Sequence, residues 1–320
     1  MDPKATLLPG MNRRGISGFF KKQYRMFSRN LYLWILVLPG IAFVAIFYYI
    51  PMIGISVAFT DYKIGLGFFQ APFVGLQWFG QFFQSIFFWR LLRNTALLGF
   101  YAVLFGFPFP VFFALLLNEM KGKIFKRTIQ SVSYLPHFIS TVIIIGMTVT
   151  FLQPGSGILW VIVNFFTPTS ATLLADPKWF RPIYIITDIW QTFGWNSIMF
   201  LAALSSVDPQ LYESSRMDGA NRWQQVWSIT LPSILPTVLT LLILRMGSIV
   251  DVGFEKAYLL GNPATYETSD VISTYVYRTG ILNGNFSFAT AVGLFNSAIN
   301  IVFLFIANTL SKKFNETSLW

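Results

Sequence analysis

Four stretches of this chain, 31–59, 94–118, 129–153 and 286–310, each run for 25 residues or more without one Asp, Glu, Lys or Arg. About 20 apolar residues in a helix cross a ~30 Å hydrocarbon core. Inside lipid only a helix or a closed barrel satisfies its own backbone N–H and C=O groups. Two further apolar stretches, 182–205 with Asp188 and 233–250 with Arg245, have similar length. The expected fold is therefore an all-α integral membrane protein of six transmembrane helices. Its length of 320 residues would otherwise suggest two soluble domains, but 54% of residues are hydrophobic and only 11% charged. Soluble domains carry about 25% charged residues. Pro39, Pro51, Pro108 and Pro110 fall inside spans and predict kinks.

Orientation follows from Lys and Arg. Residues 1–30, the loops 119–128 and 206–232, and the tail 311–320 hold 15 of them, and the opposite loops hold seven. The richer side is the cytoplasm, so both termini face inward. The basic segment 1–30 is expected to be a cytoplasmic lead rather than a secretory signal, because about 30 polar residues precede the first span. Within it "FFKKQYRMF" (19–27) suits either an amphipathic helix on an anionic leaflet or an ordinary basic flank. The net charge of +10 collects beside apolar spans, which favours the membrane over nucleic acid as partner.

Chemistry is scarce. With no Cys and one His, His137, the chain has no disulfide framework, no thiolate metal site and no His-rich zinc site. An intramembrane enzyme would need a richer catalytic set. An ion-coupled secondary transporter often shows internal repeats and functional intramembrane carboxylates, whereas here only Asp188 lies within a span. Charge in a span usually faces a bundle interior or a wet cavity. Asp188 and Arg245 thus mark either a polar path or a structural pair, with Asp251 a candidate partner of Arg245. Tyr184, Trp190, Trp195 and Asn196 accompany Asp188, either as wall residues of a path or as an interfacial belt.

The loop "ESSRMDGANRWQQVWSITLP" (213–232) is the most patterned polar stretch. Asp208-Pro209 is an N-cap followed by a first-turn proline, and Gly219 fits the left-handed C′ position of a helix spanning 209–218. Leu211, Ser214, Ser215 and Asp218 share a face that is small at its middle. Trp223, Val226 and Trp227 recur at i, i+3 and i+4. The result is a rigid cytoplasmic helix–turn–helix, either a docking surface or a cap on its own bundle.

This loop, continued to "SILP", resembles the Glu-Ala-Ala loop of permease subunits of binding-protein-dependent ABC importers. Glu213, Ser214 and Ser215 stand for the acidic residue and two small residues, followed by Asp218-Gly219-Ala220 and Ile229-Thr230-Leu231-Pro232. Serines replace the two alanines. The resemblance extends from about residue 30 to the C-terminus. It is nearest the carbohydrate branch, through "DVGFEKAYLLGNPATYETSDVISTYVYRTG" (251–280) and "NFSFATAVGLF" (285–295). It implies a type I importer bundle, N-in and C-in, in the bacterial cytoplasmic membrane. Glu213, Ser214, Ser215, Asp218, Gly219 and Ala220 would form the coupling helix seated in an ATPase subunit. The implied partners are a second homologous permease, two ATPases that carry ATP and Mg, and an extracytoplasmic solute-binding protein. No cofactor is implied in this chain, which has no Walker A sequence. The implied cargo is an oligosaccharide, including those derived from alginate or pectin, moved by alternating access.

Overall fold

The computed structural model describes residues 31–65, 67, 70–166 and 172–315. The basic lead 1–30 and the last tail residues, 316–320, lie outside them. The chain forms two compact units, Met1–Ser56 and Val57–Trp320. In the first, α1 (Leu31–Val44) passes into a π turn at Ala45–Tyr49 and then a 3-10 helix, Ile50–Phe59, whose end belongs to the second unit. Pro51 lacks the N–H that would continue the α ladder, which accounts for the change of winding there. Ile35 and Leu36 are 61% and 75% exposed, as apolar side chains directed to hydrocarbon are.

The second unit is helical, and among the described residues an isolated bridge between Thr60 and Phe73 is the one strand-like pairing. In order it holds α2 (Gln77–Phe83), α3 (Phe88–Tyr101), α4 (Pro108–Glu119), α5 (Lys123–Tyr134), α6 (Thr141–Phe151), α7 (Ile158–Phe166) and α8 (Pro177–Ser205). Beyond these come α9 (Pro209–Met217), α10 (Arg222–Gln225), α11 (Leu231–Met246), α12 (Phe254–Leu260), α13 (Tyr266–Ser269), α14 (Ile272–Tyr277) and α15 (Phe286–Asn315). A π turn at Ala102–Gly106 joins α3 to α4 just before Pro108. Another, Val226–Thr230, joins α10 to α11.

Among the described residues, four helices are long and apolar enough to cross a membrane: Tyr32–Phe59, Phe88–Glu119, Arg222–Met246 and Phe286–Thr309. The third predicted span departs from expectation. Instead of one helix over 129–153, Lys123–Phe138 and Thr141–Phe151 meet at 98°. Counted as one broken span, they make a fifth. The predicted fourth span lies in α8, whose 29 residues are ample in length, but Lys178, Arg181 and Asp188 leave it more polar than the others. The fifth span ends at Met246 rather than 250, and α15 continues to Asn315, beyond the predicted start of the tail at 311.

Three apolar clusters hold the second unit together. Ala114, Phe200, Leu204 and Ile234 join α4, α8 and α11 toward the cytoplasmic end. Leu98, Ile145, Phe180, Tyr184 and Val271 form a second cluster, and Phe82, Leu91, Ile249, Tyr275, Phe288 and Val292 a third. Helix α5 approaches α8 closely at Gly194, where a Cβ would overlap the Ser133 carbonyl.

Candidate functional site

The cytoplasmic loop is built from local caps. The Asp208 carboxylate accepts from the Gln210 N–H at 2.9 Å and starts α9. The helix closes with the Gly219 N–H on the Arg216 carbonyl (3.1 Å) and the Ala220 N–H on the Ser215 carbonyl (2.9 Å), the paired bonds of a Schellman end. That end puts Gly219 at φ +79° with nothing within 4 Å of a hypothetical Cβ, so glycine is required by the backbone angle and not by space. Asn221 and Gln224 then form a reciprocal capping box for α10.

Side chains fasten α9 to α10 and to the turn that enters α11. The Gln225 amide donates to the Ser215 hydroxyl at 3.1 Å, and the Tyr212 and Thr230 hydroxyls meet at 3.0 Å. Arg222 pairs with Glu119 at the end of α4, 3.0 Å away. Glu213, Ser214 and Asp218 are exposed, while Ser215 and Ala220 are half-buried. The Trp223 and Trp227 stripe is 68% and 58% exposed, so it does not pack on the protein's own core.

Two cavities lie in the bundle between α3–α4, α8 and α11. The outer one, about 310 Å³, is lined by Tyr184, Asp188, Gln191, Arg245 and residues 251–256. The inner one, about 210 Å³, is lined by Asp188, Thr192, Trp195, Asn196, Leu241 and Arg245. Ala102, Asp188 and Arg245 line both. Five of the six predicted path residues are thereby brought together. Trp190 is not among them: it faces an apolar cavity of about 540 Å³ walled by Ile144, Phe151, Leu159 and Ile186.

The charges at these cavities differ in status. The Asp188 carboxylate accepts from the Lys256 ammonium at 2.8 Å, and Lys256 is only 5% exposed. Lys256 also lies 5.6 Å over the Tyr184 ring. Arg245 has no ion-pair partner among the described residues, so the Asp251 pairing considered from sequence does not form. Trp195 stacks on His137 with ring centroids 4.6 Å apart and planes 4° apart. His137 thus serves the inner cavity's wall through Trp195.

Sequence reasoning missed a second centre on the outer side. Asp270, whose side chain is fully buried, accepts from Arg90 at 2.8 Å and from Arg278 at 2.9 Å. Asn94 donates to the carbonyls of Glu267 and Asp270, and Arg181 donates to the Asn94 amide oxygen at 2.9 Å. Burial alone would lower the Arg278 pKa, but the bonds and charge of Asp270 outweigh it and raise it above the ordinary value. The available signal was charge bias. Arginines on the side that the positive-inside rule depletes need a reason to be there, and here that reason is a buried carboxylate.

Comparison with known proteins supplies the frame for this geometry. The family profile described as "Binding-protein-dependent transport system inner membrane component" matches residues 106–316. Protein LplB of Bacillus subtilis (strain 168) is 43% identical over 293 residues, 92% of each chain. The polygalacturonan/rhamnogalacturonan transport system permease protein YteP of the same strain is 40% identical over 306 residues, 94% of this chain and 95% of its own. A chain in the crystal structure of a bacterial ABC transporter involved in import of the acidic polysaccharide alginate superposes with TM-score 0.85 at 42% identity. It covers 92% of this chain and 99% of that one. A second structure of the bacterial alginate transporter, in complex with a periplasmic protein bound to an alginate pentasaccharide, gives 0.84 at 42% identity, with the same coverage.

Proposed function

Because the chain belongs to the family of inner-membrane components of binding-protein-dependent transport systems, we propose that it forms one half of a pathway for oligosaccharides that carry carboxylates. The protein is an ABC importer permease subunit of the inner membrane, and ATP hydrolysis is the work of separate subunits. On our reading those subunits hold ATP and Mg. A second permease completes the pathway, and a solute-binding protein delivers the cargo.

One observation carries the choice of an acidic cargo. The cavities share two ionic residues, and only one is neutralised within the protein. Lys256 answers Asp188, which leaves the Arg245 guanidinium as the unpaired charge on the wall of the inner cavity, whereas the outer cavity also carries Asp251 and Glu255. A guanidinium binds a carboxylate through two parallel hydrogen bonds better than an ammonium does. Trp195 offers a flat apolar face for a sugar ring, and Asn196 offers an amide for its hydroxyls. The acidic polysaccharides named for two relatives support the same class.

Coupling uses the two helices that carry these walls. Helix α9 seats in a cleft of an ATPase subunit through Glu213, Ser214, Ser215, Asp218, Gly219 and Ala220. Its bonds from Ser215 and Tyr212 to Gln225 and Thr230 make it move as one body with α10 and α11. Arg245 lies near the far end of α11, so displacement of α9 reaches the cavity along a rigid lever. Helix α8 ends at Ser205, three residues before the Asp208 cap. It receives the same displacement and carries Asp188, Trp195 and Asn196.

The test is Arg245→Gln in the complete reconstituted importer. Loss of one charge-assisted contact predicts a fall of about tenfold in uptake of uronate oligosaccharides, and less than about twofold for neutral ones. Equal loss for both classes would assign Arg245 to bundle assembly and remove the basis for an acidic cargo.

A further inference from the structure

A third polar cavity lies outside this pathway. It measures about 610 Å³ and opens on the extracytoplasmic face between the end of α2, α14 and the start of α15. This volume is within the range of small-molecule sites, ~300–1,000 Å³. Tyr275 and Phe288 form its floor and are 8% and 5% exposed. Gln81, Gln84, Asn283 and Asn285 stand around that floor, with Ser85 and Thr279 between them.

Two features suit this pocket to a polar, uncharged ligand, and its amides Gln81, Gln84 and Asn283 are exposed to receive one. The first is its neutrality. No Asp, Glu, Lys or Arg lines it, although Arg90, Arg278 and Asp270 lie on neighbouring segments. Those three are turned to one another, with Asp270 bridging both arginines. The second is unused bonding capacity. The side-chain amides of Gln81, Gln84 and Asn283 make no hydrogen bond among the described residues. Asn285 uses only its oxygen, which accepts from the Phe288 N–H at 3.2 Å. Amides both donate and accept, as sugar hydroxyls do, and a buried aromatic floor suits the apolar face of a pyranose ring.

We propose that this pocket is a carbohydrate subsite that holds one sugar ring of an oligosaccharide by its hydroxyls and apolar face at the outer face, apart from the Arg245 cavities. The inference rests on the oligosaccharide reading above. The third apolar cluster separates the two places: Ile249, which lines the outer path cavity, packs there with Tyr275 and Phe288. A pocket without charge selects hydroxyls and ring shape, so it accepts acidic and neutral sugars alike, unlike the Arg245 wall.

The absence of native Cys permits a direct test. Asn283→Cys is introduced into the complete importer in nanodiscs, without the binding protein, and its modification by an impermeant thiol reagent is timed. Alginate pentasaccharide and neutral cellopentaose at millimolar concentration are both expected to slow labelling about fivefold or more. Adding Gln84→Ala should weaken that protection about fivefold, the worth of one hydrogen bond. Ala264→Cys, exposed on the same face outside the pocket, should label at an unchanged rate. Protection should persist with Arg245→Gln, because the subsite does not use that residue. Undiminished labelling by every sugar, in an importer whose ATPase responds to oligosaccharide once its binding protein is added, overturns the subsite and leaves the transport reading intact. Protection by sugar-free binding protein, with none by sugar, makes the pocket a protein-docking face and also overturns it. An importer whose ATPase, assayed with its binding protein present, responds to no oligosaccharide overturns the transport reading, while the labelling arm still reports on the pocket.

Discussion

At the scale of single residues, Gly219 isolates one physical effect. Its φ of +79° is unfavourable for side chains, yet a Cβ there would meet open space. Gly219→Val therefore tests backbone strain without a steric clash, at a cost of about 1–2 kcal/mol. Gly219→Asn, which tolerates the left-handed region, should cost less. If α9 transmits ATPase motion, the valine variant should insert normally but transport poorly, and asparagine should restore most of the rate. Uptake assayed beside surface abundance separates the two, and equal transport by both variants would remove the turn from the mechanism. Gly219, Asp208 and the small face of α9 were legible in the sequence because caps obey local rules. Lys256 and Asp270 were not legible. Their partners, Asp188, Arg90 and Arg278, are brought to them by long-range folding, and no local pattern encodes a pairing of Asp188 with a lysine 68 residues on.

At the scale of elements, α12 is the instructive case. Its first residues, Phe254, Glu255 and Lys256, line the outer cavity, and Lys256 fastens the helix to Asp188 on α8. Removing one member of a buried pair costs about 3 kcal/mol, chiefly because the other charge is left alone. Lys256→Met should therefore lower the thermal stability of the purified complex, and Asp188→Asn combined with it should recover much of the loss. A double-mutant cycle that shows simple additivity would mean that the pair does not couple the two helices. Periodicity, too, has a limit that shows at this scale. Apolar runs gave the positions of the helical stretches Tyr32–Phe59, Phe88–Glu119, Leu231–Met246 and Phe286–Thr309 to within a few residues. Helix α5 and helix α6 are equally apolar together, but the bend between them depends on Pro136 and on a contact from α8, which apolar counting does not register.

For the whole molecule, the Lys/Arg asymmetry assigns the 206–232 loop and the cavity of amides to opposite sides of the membrane. Ser214→Cys should be protected from an impermeant thiol reagent in intact cells and react after permeabilisation. Ala264→Cys should react in both. Both sites are exposed, and expression without the ATPase subunits leaves Ser214 uncovered, so accessibility reports sidedness and not burial. Labelling of Ser214→Cys in intact cells would reverse the orientation and with it the direction of transport argued above. This layout also gives five of the seven outer basic residues a common explanation. Arg90, Arg93, Arg181, Lys256 and Arg278 each donate to a side chain or carbonyl of another segment. They serve as fasteners of the outer loops, which leaves the inner face with the cations that set topology.

The 98° break between Phe138 and Thr141 has a consequence for how the protein is made. Its Ile139 carbonyl accepts a hydrogen bond from the Gln191 amide at 3.3 Å, and Gln191 emerges from the ribosome more than 50 residues after it. Until then that carbonyl is without this partner, and in hydrocarbon an unsatisfied carbonyl costs several kcal/mol. The segment 123–151 is thus a poor substrate for release into lipid as an independent helix. It should stay beside the insertion machinery until α8 arrives, so the two enter the bilayer together. A nascent chain truncated after Phe151 and extended by a linker that spans the ribosomal exit tunnel should remain crosslinkable to the translocon, and one truncated after Ser205 on the same linker should be released.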